Sequence, residues 1–361
     1  MDTSDPDITF NSEGVCSHCI TFETSIKPKW KPNREGEELL HGRVAQIKRA
    51  GSGKPYDCII GLSGGVDSSY LCIKAVELGL RPLVVHVDGG WNSELAVNNI
   101  EVLVKKLGLD LHTYVVDWEE MRRLQVAYLK SGVVNQDVPQ DHVFFAQLLR
   151  EARQNGIKHV ISGSNYATES ILPKAWGYDA IDSINLRAIF RKFGTGKLET
   201  YPMVSFFEWY IYYPRIYGIK FFSPLNYLPY DKQEAKGLLI REYGWKDYGG
   251  KHYESRFTKF FQGYYLVNRF GFDKRRAHLS SLIVSGQLTR SEALEELSKP
   301  PYPIDDLDED LIFIRKKLGL SEAEFSEILA APSHQASDFS SQKTLLNILK
   351  AVRPFVPVSR K

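Results

Sequence analysis

The chain has 361 residues, of which 43% are hydrophobic and 25% charged, and its formal net charge is +2. This length and apolar content suffice for a large core and about two domains. The near balance of charge gives no argument for a nucleic-acid partner, and four cysteines do not make a disulfide scaffold. The acidic start at 1–6 is unlike a secretory signal and no apolar run could cross a bilayer, so we expect a cytoplasmic protein without membrane insertion.

The first motif is a Cys-x-x-Cys turn formed by Cys16 and Cys19. Such a turn can present two thiolates to Zn²⁺, and a structural zinc site needs four ligands. The other ligands would come from histidines elsewhere in the chain: His18, His41, His252 and His278. Zinc held by Cys16, Cys19 and the candidate His252 is our interpretation, and the alternatives are a redox dithiol or a turn without metal.

A strand-to-helix turn at 62–68 is the most informative part of the sequence. Residues 57–61 predict a short buried strand, and residues 70–78 predict an amphipathic helix. Backbone N–H groups and the positive end of a helix dipole converge at such a turn, which suits a phosphate group. The Walker pattern does not apply because the turn contains no lysine, and G-x-G-x-x-G spacing is also absent.

The residue types in this turn each have a place in a phosphate site. Gly64 and Gly65 would let the backbone approach the anion and adopt positive φ angles. The serine side chains would add hydroxyl donors: Ser63, Ser68 and Ser69. Asp67 would repel a phosphate unless a cation lay between them, so we predict it as a Mg²⁺ ligand. The alternative is a serine- and glycine-rich turn that binds nothing.

The order Ser-Gly-Gly-Val-Asp-Ser at 63–68 resembles the signature of the PP-loop ATP pyrophosphatases. That family cleaves ATP to AMP and pyrophosphate and thereby activates a carbonyl-type oxygen. The resemblance implies ATP and Mg²⁺ as cofactors, with the pyrophosphate held by the turn.

The rest of the first two thirds of the chain alternates strands with helices. Further strands are predicted at 83–88, 111–116, 158–163 and 219–225, with a helix at 143–154 before the fourth strand. The pattern predicts an α/β fold with a doubly wound parallel sheet of about five strands, PP-loop or HUP-like, whose ligands bind at the carboxyl ends of the strands. We assign it to 35–232, between an N-terminal segment at 1–34 and a helical C-terminal region at 233–361.

Several local predictions accompany this fold. Asp117 and Glu120 predict a capping box at the helix after the third strand. Cys58 and Cys72 fall on a strand and a helix, where we expect them to be small packing residues. The aromatic run at 201–227 could stack on a base or sugar, but such runs more often belong to the core.

Polar residues follow the ends of the second and fourth predicted strands. Asp88 either lines an adenine-ribose pocket or caps the glycine turn after it. Gly163 would permit close approach of a nucleotide, and Asn165 would bind it. Glu169 would hold Mg²⁺ or the acceptor, unless these residues only cap a helix.

Three further candidates lie outside those strand ends. Asp141 and His142 belong to a segment that we expect to line the cleft, although each alone is more often a helix cap. Lys232 follows the last strand, where the PP-loop resemblance implies a lysine that reaches a phosphate. The basic segments at 249–262 and 273–278 suit the diphosphate and carboxylate of a nucleotide sugar, or form a solvated helix face.

A narrower resemblance covers nearly the whole chain. The segments at 3–6, 14–19, 61–68, 162–170, 249–262 and 275–281 together resemble the N-acetyl sugar amidotransferases of bacterial surface-polysaccharide synthesis. This implies conversion of an N-acetyl group to an acetamidino group on a nucleotide-linked sugar, such as the UDP-linked diacetamido mannuronic acid used for O-antigen lipopolysaccharide. Adenylation would turn the amide oxygen into a leaving group, and ammonia would displace AMP.

The resemblance also implies roles and partners. Asp67, Glu169 and Glu254 are the predicted catalytic residues, with the two glutamates orienting the acceptor or ammonia. Because no cysteine is evidently placed as a glutaminase nucleophile, separate glutaminase and cyclase-like subunits would supply ammonia. The alternatives are a tRNA-modifying PP-loop enzyme and a non-catalytic nucleotide-binding subunit.

Overall fold

The computed structural model describes residues 1–250 and 253–352, which include a five-stranded parallel sheet. Its strands are β1 Cys58–Gly61, β2 Pro82–Asp88, β3 Leu111–Val115, β4 His159–Ile161 and β5 Lys220–Phe222. The strand order is β3-β2-β1-β4-β5, so the chain builds outward from β1 in both directions. The doubly wound sheet predicted from the sequence is confirmed, and its topological switch point lies between β1 and β4.

Helices make up most of the remaining described residues. The α-helices are α1 Ser17–Thr21, α2 Arg34–Ala50, α3 Val66–Glu77, α4 Glu94–Leu107, α5 Trp118–Ser131, α6 Val138–Gln154, α7 Tyr166–Glu169, α8 Ser183–Phe193, α9 Lys232–Tyr243, α10 Arg256–Phe260, α11 Leu266–Phe270, α12 Arg275–Val284, α13 Arg290–Ser298, α14 Ile304–Leu318, α15 Glu322–Ala330 and α16 Lys343–Val352. Wider, π-helical turns cover Phe22–Ile26, Glu208–Tyr217 and Phe261–Tyr265. Within the described ranges, no helix is both long and apolar enough to cross a membrane.

Both faces of the sheet are buried, as the continuous apolar runs of β1 and β2 require. Ile59 and Val85 face a core built with α5, α6 and α8, while Ile60 and Val84 face a second core with α3, α4 and α9. Cys58 and Cys72 belong to the second core, which confirms their predicted packing role. Burial raises the pKa of the Cys72 thiol to about 12, so this thiol stays protonated.

The C-terminal helices share a third core with the α/β part. This core joins aromatic residues of α10 and apolar residues of α14 and α15 to Trp91 and Leu129. The start of this region is fixed by backbone pairing: Asn92 and Ser255 form an antiparallel bridge, and the N–H of Ser93 donates to the carbonyl of Glu254 at 2.8 Å. The loop after β2 therefore holds the start of the C-terminal region beside the sheet.

Two predicted helix starts lie several residues too late. Helix α3 begins at Val66, so Asp67 and Ser68 belong to its first turn and not to the preceding loop. Helix α6 begins at Val138, with Asp137 at its N-cap position. Both errors arise because the apolar periodicity begins only after a polar first turn, whose side chains face the cavities described below.

The capping box predicted at α5 is only half present: Asp117 caps the helix as predicted, but Glu120 does not bind back to Asp117. Asp117 caps the helix, its carboxylate accepting from the N–H of Glu120 at 2.9 Å. The Glu120 carboxylate does not return to Asp117, because it accepts from the N–H groups of Glu199, Thr200 and Tyr201 at 2.6–3.1 Å. Burial alone would raise the pKa of Glu120, but these backbone donors lower it below its usual value.

The aromatic run at 201–227 is buried only in part. Tyr201 and Tyr213 belong to the first core. Phe207 and Phe221 are 53% and 48% exposed, because the run contains the π-helical turn Glu208–Tyr217 and the short edge strand β5. The run therefore contributes both to the core and to the surface.

Candidate functional site

The turn at 62–68, predicted to bind phosphate and called the phosphate turn below, joins β1 to α3 at the switch point of the sheet. Gly64 has a φ angle of +86°, and a Cβ there would lie 2.9 Å from the carbonyl oxygen of Ala96. The indole N–H of Trp245 donates to the Gly64 carbonyl at 3.0 Å and fixes the turn from the other side. Glycine is therefore required at Gly64 both for its backbone conformation and for space.

Gly65 departs from the expectation of a positive φ angle. It is the N-cap of α3 with a φ angle of −72°. A Cβ at Gly65 would lie 3.3 Å from a carboxylate oxygen of Glu254 and from the hydroxyl of Ser63. The glycine is explained by this crowding, which brings a carboxylate from the C-terminal region against the turn.

The serine hydroxyls of the turn form one small cluster. The hydroxyl oxygens of Ser63 and Ser68 lie 3.3 Å apart, and the Gly65 N–H donates to Ser63 at 3.3 Å. The Ser68 hydroxyl donates to the Gly65 carbonyl at 3.2 Å. Ser69, in contrast, is buried in the helix and lies away from this cluster.

Asp67 lines a cavity at the start of α3 and is not turned into the core. One of its carboxylate oxygens accepts hydrogen bonds from the hydroxyl of Tyr230 and from the side-chain amide of Asn165, the latter at 3.4 Å. Burial, and then the charge of Asp67, raise the pKa of Tyr230, so the tyrosine remains a neutral donor. Both contacts use the same carboxylate oxygen, and the predicted role of Asp67 as a Mg²⁺ ligand stays a prediction.

The loop after β4 lies directly against this helix start. A Cβ at Gly163 would be 3.1 Å from the carbonyl carbon and oxygen of Asp67, so the space at this glycine is taken by protein backbone, and the predicted approach of a nucleotide stays a prediction. Asn165 caps α7 by accepting from the N–H of Thr168 at 2.9 Å and also donates to Asp67. Its predicted contact with a nucleotide stays a prediction.

Two cavities meet at the phosphate turn. The first has a volume of about 420 Å³ and lies between the ends of β1, β2 and β4, helix α6 and the start of the C-terminal region. The second has a volume of about 370 Å³ and lies over the start of α3. The residues that line both cavities are Ser63, Ser162, Gly163 and Glu254.

The first cavity has an apolar end and a polar end. Val85, Phe144 and Ile161 are among the residues of the apolar end, which suits a planar base. His86 also lines it: its Nδ1 lies 2.9 Å from the Leu62 carbonyl and so donates, and its Nε2 accepts from Asn92 at 3.0 Å. These two contacts fix the orientation of the imidazole ring.

Asp88 caps the glycine turn that follows it, which was one of its two predicted roles. Its carboxylate accepts from the Gly90 N–H at 2.8 Å and from the side-chain amide of Asn92 at 3.1 Å. It is not among the residues that line the first cavity, although it borders a separate shallow one. Asp88 therefore caps the turn, and its predicted contact with ribose stays a prediction.

The second cavity combines carboxylates with lysines. Glu169 and Lys232 both line it together with Asp67, so three predicted site residues from separate segments are brought to one place. Tyr248 lines it as well, and its pKa is raised by burial and then by the charges of Glu254 and Asp67. Carboxylate oxygens such as those of Asp67 and Glu169 are ligands that Mg²⁺ accepts.

The donors in the second cavity do not form a complete protein cage for a metal. Within the described residues, no group of three or more histidine, cysteine or carboxylate side chains could hold an ion. Mg²⁺ usually takes one or two carboxylates together with water and substrate phosphates, so Asp67 alone is compatible with that role.

Of the weaker candidates, Asp141 lines the first cavity and His142 does not. The His142 ring is buried, its Nδ1 donating to the carbonyl of Ala180 at 2.8 Å and its Nε2 accepting from the Val204 N–H at 3.1 Å. Burial lowers the pKa of His142. His142 is therefore a structural residue, and its proposed place in the site is wrong.

The segment at 137–142 was expected to line the cleft, but the buried polar cluster that Asp137 forms at the polar end of the first cavity was not predicted. Asp137 is 7% exposed, and its carboxylate accepts from the hydroxyl of Thr258 and the side-chain amide of Gln140, both at 3.1 Å. The other members facing the cavity are Ser255, Gln262 and Lys274. Pro139 was the available signal, because it removes one of the N–H groups that an N-cap aspartate normally binds.

The N-terminal thiols lie together, with the sulfur atoms of Cys16 and Cys19 3.4 Å apart. His18 points to Asp5, with 2.7 Å between its Nε2 and the carboxylate, and His41 is exposed on α2 beside Glu37. His252, the candidate third ligand, lies outside the described residues. Zinc at Cys16 and Cys19 therefore stays a prediction.

Comparison with known proteins adds two findings. Residues 254–353 match the family described as "LPS biosynthesis protein WbpG-like, C-terminal domain". The chain is also 23% identical over 312 residues to an uncharacterized protein of Methanocaldococcus jannaschii, covering 84% of this chain and 92% of that protein. The first match associates the C-terminal part with lipopolysaccharide biosynthesis, and this part begins at Glu254, one of the four residues that line both cavities.

Proposed function

We propose that this protein is an ATP-dependent, AMP-forming amidotransferase that converts an N-acetyl group of a nucleotide-linked sugar to an acetamidino group. The observation that carries the proposal is the pair of cavities meeting at the phosphate turn, where Glu254 of the lipopolysaccharide-associated region lies against Gly65. A nucleotide-binding turn and a polysaccharide-associated region thus share one site, as a synthetase acting on a sugar requires.

ATP would bind across the junction of the cavities. Its base suits the apolar end of the first cavity, and its phosphates suit the turn with Ser63, Ser68 and the start of α3. Lys232 lies where it could contact the leaving pyrophosphate. Asp67 would hold Mg²⁺, which supplies charge neutralisation between the phosphates and the carboxylate.

The acceptor would be activated at the same junction. The amide oxygen attacks the α-phosphorus, the bond to the leaving β-phosphate oxygen breaks, and pyrophosphate departs. The resulting carbon bears AMP as a good leaving group, and ammonia replaces it to give the amidine. The chain contributes position and hydrogen bonds here, with Glu169 and Glu254 orienting the acceptor or ammonia.

The amidine nitrogen would come from ammonia delivered by separate glutaminase and cyclase-like subunits. With the purified chain alone, we expect turnover with an ammonium salt and little or none with glutamine. Equal turnover with both nitrogen sources would contradict this dependence on partners.

The decisive assay mixes the protein with MgATP, an ammonium salt and UDP-linked diacetamido mannuronic acid. We expect AMP to form in step with replacement of one oxygen by NH in the sugar, read by mass spectrometry. AMP formation without that replacement, or nucleotide binding without any AMP, would contradict the proposal. A related diacetamido sugar as the better acceptor would change only the substrate.

A further inference from the structure

The polar end of the first cavity contains Asp137, an N-cap residue whose side chain does not cap its own helix. Asp137 is the N-cap of α6, a helix of 17 residues, yet its side chain makes no capping hydrogen bond. It turns instead toward Thr258 and Gln140 at the cavity wall. An N-cap aspartate whose side chain leaves its helix uncapped gives up a stabilising hydrogen bond in favour of the contacts at the cavity wall.

The surroundings of Asp137 hold its carboxylate in place without closing it off. Gln140 is itself held by Ser255, whose hydroxyl donates to the Gln140 side-chain oxygen at 3.3 Å. The Asp137 carboxylate therefore accepts from Gln140 of α6 and Thr258 of α10, and also from the side chain of Gln262. Because Asp137 still lines the cavity, a bound molecule could reach it.

The charged and titratable groups that face the same cavity are few. His86 and Asp141 come from the α/β part, and Glu254 and Lys274 come from the C-terminal region. Burial raises the pKa of Asp137 to about 6, against the opposing effects of Lys274, Thr258, Gln140 and Gln262. A carboxylate that titrates close to neutrality can both take up and release a proton in each cycle.

The proposed reaction requires one proton acceptor beyond the groups already assigned. When ammonia adds to the activated carbon, the new C–N bond carries a positive charge on nitrogen. Unless that nitrogen loses a proton, ammonia is expelled again in preference to AMP. The proton must therefore pass to a base before the C–O bond breaks and AMP leaves with its electron pair.

We propose that Asp137 is this base, accepting one proton from the ammonia-derived nitrogen and so committing the adduct to AMP release. The inference rests on the function proposed above and names a catalytic residue for its second step. Asp137 returns the proton to the departing AMP phosphate or to water, so the residue is unchanged at the end of the cycle. Thr258 and Gln140 act as positioning residues.

The test separates the two half-reactions in Asp137→Asn. Acceptor-dependent exchange of labelled pyrophosphate into ATP measures adenylation alone, and we expect it to stay within about threefold of the unchanged protein. Amidine formation should fall about 100-fold or more, as expected for loss of a general base. The exchange reaction also shows that the same preparation is folded.

Two further measurements identify the base. With hydroxylamine, and with rates expressed per concentration of its unprotonated form because its own pKa lies close to that of Asp137, the rate of the unchanged protein should rise with pH through the pKa of Asp137 and then level. Asp137→Asn should lack that rise. Thr258→Val removes a donor that lowers the pKa of Asp137, so its rise should move to higher pH.

The outcomes distinguish this inference from the function on which it rests. If the unchanged protein shows no acceptor-dependent exchange, the proposed function fails and the inference fails with it. If exchange is normal and Asp137→Asn forms the amidine at the unchanged rate or keeps the same pH profile, the assignment of the base alone is overturned. Partial recovery in Asp137→Glu would support it.

Discussion

Gly163 lies so close to Asp67 that a Cβ at the glycine would be 3.1 Å from the Asp67 carbonyl carbon and oxygen. The loop after β4 and the first turn of α3 are therefore packed backbone to backbone across the switch point of the sheet. The position of the Asp67 carboxylate depends on this contact as much as on its own helix.

Gly163→Ala should displace the first turn of α3 by a few tenths of an ångström. We expect a loss of about 1–3 kcal/mol in the free energy of unfolding, because the neighbours are backbone atoms that cannot rotate away. AMP formation should fall about tenfold, since small misplacements at a reacting centre are costly. Urea unfolding and the AMP assay measure the two effects.

Gly177→Ala is the matched control for that change. Gly177 has an extended backbone with a φ angle of −153°, and a Cβ there meets nothing within 4 Å. Its free energy of unfolding should change by no more than about 1 kcal/mol. If both variants lose the same free energy of unfolding, the loss in Gly163→Ala does not come from the contact between Gly163 and Asp67.

Gly64→Ala should impair the phosphate turn for two separable reasons. The residue has a positive φ angle, and its Cβ would lie 2.9 Å from the Ala96 carbonyl. Gly53→Ala isolates the first reason, because Gly53 has a φ angle of +74° and open space around it. We expect about 1 kcal/mol from the backbone strain in Gly53→Ala and a larger loss, with weaker ATP binding by calorimetry, in Gly64→Ala.

Asp67→Asn should raise the Mg²⁺ concentration that turnover requires and should also remove most of the turnover. An amide is a poorer ligand than a carboxylate for a hard cation, so we expect kcat to fall about 100-fold or more. A titration of AMP formation against Mg²⁺ measures this. Unchanged turnover in Asp67→Asn would remove the residue from the catalytic machinery.

Tyr230→Phe complements that variant by removing a hydrogen bond to Asp67 while keeping the carboxylate. We expect a higher Mg²⁺ requirement with kcat reduced less than in Asp67→Asn. Because the pKa of Tyr230 is raised by burial and by Asp67, this tyrosine stays protonated as pH rises. The pH profile of Tyr230→Phe should therefore keep the shape of the original.

Glu120→Gln should destabilise the fold by about 1–3 kcal/mol, because three backbone N–H groups lose a charged acceptor. The pKa of Glu120 is lowered on folding, so its contribution is complete above the pKa of the unfolded chain and is lost as pH falls through the folded value. The difference in free energy of unfolding between the two proteins should accordingly shrink in acid. Urea titrations across the acidic range measure it.

The neighbouring Glu119→Gln provides the comparison. Glu119 is exposed and pairs with Arg122 three residues along the same helix. Exposed pairs contribute little, so the free energy of unfolding of this variant should stay close to that of the original at any pH. A loss at Glu119 equal to that at Glu120 would contradict the role given to the backbone contacts.

The fold was largely predictable because its determinants are local. Apolar runs such as 83–88 in the sequence can be buried on both faces only in a covered parallel sheet, and glycine and serine at 63–65 specify the turn. Glu120 and Asp137 were harder, since each has the right residue type for a helix cap and a different partner in space. Only the fold brings residues 199–201 to one carboxylate and Thr258 to the other.

The backbone bridge between Asn92 and Ser255 has a mechanical consequence. It ties the loop after β2, beside which a base would sit, to the strand of chain that carries Glu254 and Ser255. Because backbone hydrogen bonds join the two segments, we expect a displacement of one segment to displace the other. We therefore expect a ligand that binds beside the loop after β2 to alter the position of Glu254, which lines both cavities.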